Sequence, residues 1–118
     1  MPEDTVKSLR DLLFRVFGVR TSHRINPTGN TDIEDTVLPV LSANPRRLGF
    51  VVVNMGANTL WLAPDDHVAN DYGFELLPNG GSINMIWNEE FEMLSLPWYG
   101  VSVADPGTHI FVMEIQVF

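Results

Sequence analysis

The chain has 118 residues, 45% of them hydrophobic and 19% charged, which fits one globular domain and argues against a disordered chain. No apolar run reaches the roughly 18–20 residues of a membrane-spanning helix. The acidic start Met1-Pro2-Glu3-Asp4 is unlike a secretory signal, and a chain without cysteine has neither disulfides nor thiolate chemistry.

The net charge of −8 is divided unevenly. All seven basic residues precede position 48, where six acidic residues leave a balance of +1; from Leu48 onward there are nine acidic residues and no Lys or Arg. That second stretch has no cation with which to neutralise phosphate, so nucleic acid is excluded as its partner. Its acidity serves solubility and protects strand edges, or it receives a basic partner such as the N-terminal segment of another copy.

Residues 4–17 predict one amphipathic α-helix. Val6, Leu9, Leu13, Val16 and Phe17 recur at helical spacing, and Leu12 widens the stripe. Asp4 or Thr5 can cap its start, Gly18 suits its C-terminal end, and Asp11 with Arg15 forms an i,i+4 pair. Such a short helix needs a cover for its apolar stripe, from its own domain, a neighbouring subunit or a larger assembly.

From Val19 the chain predicts strands separated by turns. Residues 19–25 form the first, 26–30 a turn, and 36–41 an edge strand because of Pro39. Residues 48–54 form a near-continuous apolar strand that makes a hairpin with residues 59–63 through the turn 55–58. Further strands are expected over 73–77, 82–87, 91–94, 99–104 and 108–118. In the last of these, Phe111, Met113, Ile115 and Val117 make one wholly apolar face, expected to be the core face, opposite Ile110, Val112, Glu114, Gln116 and Phe118. The sum is a mainly β protein: an antiparallel β-sandwich, jelly-roll or Ig-like, preceded by one N-terminal amphipathic α-helix. Residues 1–47 read as a helix with a basic docking arm, and residues 48–118 as an acidic β-sandwich domain.

Constellations that carry chemistry are weak. His23, His67 and His109 lack metal-ligand spacing. The loop 65–71 offers Asp65, Asp66, Asn70 and Asp71 as oxygen donors but lacks the alternate-residue spacing of a calcium loop, and reads better as a turn. Glu89, Glu90 and Glu92 suggest a carboxylate pair without a pocket to hold it. No nucleophile elbow or phosphate-cradling loop occurs. The expectation is no catalytic residue, no cofactor and no metal. Trp61, Trp87 and Trp98 could stack sugars, although Trp in a small sandwich more often fills the core or a subunit contact.

From Arg46 onward the pattern resembles small β-sandwich modules of tailed-bacteriophage virions, found among head-decoration and tail proteins. The resemblance is carried by four stretches: Arg47-Leu48-Gly49-Phe50-Val51-Val52-Val53-Asn54; Ala57 to Asp65; Gly73-Phe74-Glu75-Leu76-Leu77-Pro78-Asn79-Gly80-Gly81-Ser82-Ile83; and Trp98 to Ala104 followed by Thr108 to Glu114. It covers about 70 residues, mostly turns and core positions, and leaves out the N-terminal 45.

The resemblance implies a non-enzymatic virion structural protein, made in the host cytoplasm and assembled in many copies. The expected role is capsid decoration or cementing; a tail or head–tail adaptor, a carbohydrate- or receptor-binding module, and a calcium-dependent adaptor are the alternatives. The expected partner is a major capsid protein or another virion protein, with self-association to a trimer or dimer, and neither nucleic acid nor membrane. The contact residues expected from the N-terminal segment are Val6, Leu9, Leu13 and Phe17, which would bury apolar area, and Arg10, Arg15, Arg20 and Arg24, which would meet acidic patches.

Overall fold

The computed structural model describes residues 21–86, 91–104 and 106–117. The expected N-terminal helix, its seven contact residues up to Arg20, Trp87, Glu89, Glu90 and Phe118 lie outside the described residues.

Among the described residues, nine strands make two antiparallel sheets. In chain order they are β1 (Thr21–Ile25), β2 (Asp32–Ile33), β3 (Leu38–Leu41), β4 (Arg47–Asn54), β5 (Leu60–Ala63), β6 (Phe74–Leu76), β7 (Ser82–Ile86), β8 (Trp98–Val101) and β9 (Thr108–Val117). The larger sheet runs β1-β9-β4-β7, with β2 also paired to β9; the smaller runs β3-β8-β5-β6. The pairs β1–β9, β3–β8, β4–β7 and β5–β6 are nested one inside the next along the chain. Residues 21–47 supply three whole strands and the start of a fourth, so the two sheets draw on both sides of position 48. Pro39 does lie on an edge strand, as its missing N–H requires.

The sheets face each other across one apolar core. Phe50, Val52, Met85, Ile110 and Val112 of the larger sheet meet Val40, Leu41, Leu60, Leu62, Leu76 and Trp98 of the smaller. Trp98 is fully buried, with its ring centroid 5.4 Å from that of Phe50, and its indole N–H donates to the carbonyl of Met93.

Three local expectations differ from what is observed. First, β4 and β5 do not form a hairpin: β4 pairs with β7 and β9, β5 with β6 and β8. The turn between them carries the chain from one sheet to the other. Asn54 holds this crossover. Its buried side-chain amide donates to the carbonyls of Asn58 (2.7 Å) and Leu76 (3.0 Å), and its oxygen accepts from the N–H of Gly56 and the hydroxyl of Thr108. Gly56 is obligatory there, since a Cβ would fall 2.1 Å from Thr108 Oγ1. Asn54→Ala leaves those partners without a bond, and the expected loss is about 2–3 kcal/mol in a urea unfolding experiment.

Second, Phe91–Leu94 is a turn of 3₁₀-helix rather than a strand. Four residues are too few for a period of two to be told from a single turn. Both the amide and the hydroxyl of Ser95 close onto the carbonyl of Glu92, and Leu94 enters the core.

Third, the core face of β9 is the opposite one. Thr108, Ile110, Val112 and Glu114 are buried, while Phe111, Met113, Ile115 and Val117 are half-buried on the outer side. The reason lies in what meets the polar members of the inner face. Thr108 bonds to Asn54, and Glu114 is enclosed by two arginines. An irregularity in β4 between Arg47 and Gly49 allows Arg47 and Phe50, three residues apart, to point to the same side, and the guanidinium lies 5.9 Å from the Phe50 ring centre.

Candidate docking surface

The outer face of the larger sheet is built by register. Ile25 of β1 stands beside Met113 of β9, which stands beside Val51 of β4 and then Asn84 of β7. The adjacent row is His23, Ile115, Gly49 and Ile86, and on the other side lies Phe111 with Val53 and Ser82. None of these residues is Asp, Glu, Lys or Arg. Where Gly49 contributes no side chain, Val51, Asn84, Ile86, Met113 and Ile115 rim a depression of about 170 Å³.

The smaller sheet differs in this respect. On its outer face, Trp61, Ala63, Tyr99 and Val101 are packed under Val68 from the loop after β5, together with Val37. That loop also explains the acidic run 65–71. The Asp65 carboxylate accepts from the His67 N–H at 2.9 Å, and Ala69 and Tyr72 bridge each other. It is a turn that closes over a sheet. Among the described residues, no group of three or more His, Asp or Glu side chains is placed to hold a metal ion.

Charge is arranged as unevenly in space as in sequence. Glu114 is fully buried; Arg24 Nε donates to its Oε1 at 2.8 Å, with a second bond from Nη2, and Arg47 Nε donates to its Oε2 at 2.6 Å. Arg47 also donates to the carbonyls of Leu94 (2.8 Å), Leu96 (3.0 Å) and Ser42. Two of the seven basic residues are therefore paired with Glu114, Arg47 fully buried and Arg24 at the surface. Arg24, expected to meet a partner's acidic patch, pairs with Glu114 of its own chain, and its side chain stays 48% exposed. Arg46, next to Arg47 in sequence, is exposed. The remaining four, Lys7, Arg10, Arg15 and Arg20, all precede β1.

Among the described residues, Trp61 and Trp98 do not form an open row. Trp98 is in the core and Trp61 is half-buried under the loop cluster. His109 is exposed on β9, its Nδ1 3.0 Å from Asp32 Oδ1 of β2.

Sequence reasoning placed seven of its eight candidate contact residues ahead of β1 and Arg24 within it, but did not find Ile25, Gly49, Val51, Met113 and Ile115 as a surface. The signal was present: β9 is apolar on both sides in its middle, and only its inner side carries polar residues that Arg24, Arg47 and Asn54 can satisfy. Comparison with family models, with curated proteins and with solved structures finds no match.

Proposed function

We propose that this protein is a non-enzymatic structural protein of a tailed-phage virion, of the capsid decoration or cement type, that attaches to a repeated protein lattice through the segment ahead of β1. The observation that carries the reading is the placement of positive charge. Glu114 buries Arg47 and pairs with the half-exposed Arg24, so the cations outside this cluster lie before Thr21 and at Arg46, on an otherwise acidic protein. Complementary charge of this kind steers and orients association with an acidic surface.

The nested strand pairing supports the finer part of the reading. Apart from β2, first pairs with last and so inward, an order that favours a jelly roll over an Ig-like sandwich, and jelly rolls are recurrent in viral coats. Such a body acts by being present in many copies.

The test is cosedimentation of the purified full chain with empty heads of the phage that encodes it. Saturation at a fixed number of copies per head is expected, and the Arg10→Glu/Arg15→Glu variant should bind about tenfold or more weakly. A full chain that stays in the supernatant overturns the proposal. Deletions should stop at residue 17, because removing β1 would also take Arg24 away from Glu114.

A further inference from the structure

We infer that the outer face of the larger sheet is the seat of this chain's own residues 4–17, whose apolar stripe lies across β1, β9 and β4. This goes beyond the virion reading and does not rest on it.

The sequence supplies an apolar stripe that needs a cover, and among the described residues no element covers the outer face of the larger sheet. Val6, Leu9, Leu13, Val16 and Phe17 form a stripe that a helix of this length cannot leave in water. The outer face of the larger sheet is apolar and uncharged, and the described elements are accounted for elsewhere: the 3₁₀ turn puts Leu94 into the inner core, and the loop after β5 covers the other sheet.

Chain connectivity joins the two. Residues 18–20 alone link Phe17 to Thr21, and Thr21 pairs with Val117 at the end of the sheet that also holds Gly49, Ile115 and the depression. Four Cα steps reach about 13 Å, enough to rise the roughly 10 Å between packed layers. A 14-residue helix is about 21 Å long, against about 14 Å across four strands. Burial along β1 follows the same direction. Thr21, outward-facing at the junction, is 3% exposed, whereas Ile25 at the far end is 54% exposed.

Seating the stripe leaves Lys7, Asp11 and Arg15 on the opposite side of the helix, turned to solvent. The helix then presents charge outward and apolar side chains inward, so an outside partner meets its cations.

The chain has no cysteine, which makes the test direct. Leu13→Cys and Phe17→Cys are each combined with Met113→Cys or Ile115→Cys in the full chain, and oxidised at low concentration. The control is Asp11→Cys with Met113→Cys. A crosslink within the monomer, formed at least about tenfold faster than in the control, is the expected result. Proper folding of each variant is checked by its melting transition. A crosslink that appears only between two chains assigns the face to a second copy and overturns the inference. Crosslinking no faster than the control in every folded pair overturns it as well. Neither failure bears on cosedimentation with heads, which separates this inference from the proposed function.

Discussion

Glu114→Ala should lower the melting temperature by about 12–20 °C. The carboxylate is fully buried, and Arg47 beside it has no exposed side-chain surface. Removing Glu114 leaves a guanidinium in the interior with carbonyl partners but no counter-charge, which costs on the order of 3–5 kcal/mol. One kcal/mol corresponds to about 4 °C for a domain of this size. Arg24→Ala should cost far less, about 1 kcal/mol, because that side chain is half exposed and Arg47 still pairs with the carboxylate. The discriminating variant is Arg47→Met combined with Glu114→Leu. Removing both charges together should recover most of the loss, since a buried pair and an apolar replacement of similar volume are often comparable in stability. A double variant as unstable as Glu114→Ala would mean that the bonds from Arg47 to Leu94, Leu96 and Ser42, rather than the ion pair, hold this end of the body.

The same pair explains why the strands were legible in the sequence and the orientation of β9 was not. Most strand positions follow from short apolar runs between turn residues, and these are local properties. Which side of a strand faces the core is a property of the whole fold. On β9 the face with more apolar residues is the outer one, because Glu114 and Thr108 on the inner face are satisfied by Arg24, Arg47 and Asn54, up to 90 residues away in the chain. No period-two pattern contains that information. The β4–β5 connection failed for a related reason: a turn of suitable composition after an apolar strand reads as a hairpin, yet Asn54 uses its amide to hold a crossover between sheets. The candidate surface was hidden by the same inversion. An apolar face assigned to the core cannot also be read as a docking surface.

Trp98→Ala should be comparably severe, with a loss of about 3–5 kcal/mol and a fall of about 12–20 °C in the melting temperature. The indole is fully buried at the centre of the core, touching Phe50 across the two sheets at 5.4 Å and lying 5.8 Å from Phe74 at the edge strand β6. Its N–H is bonded to Met93, so the side chain also ties the 3₁₀ turn to β8. Alanine would leave a cavity bounded by Phe50 and by both sheets, which a close-packed core collapses only in part. Trp98→Phe should cost roughly half as much, because it keeps an aromatic ring against Phe50 and loses the bond to Met93. This ordering bears on function as well as stability. If a sugar were held by an aromatic platform at Trp98, the phenylalanine variant would lose glycan binding while remaining folded. With Trp98 in the core, any surface activity in Trp98→Phe should be unchanged, and activity lost in Trp98→Ala should follow the melting curve. Binding that disappears from a folded Trp98→Phe protein would instead show that the indole reaches a ligand, which its present burial forbids.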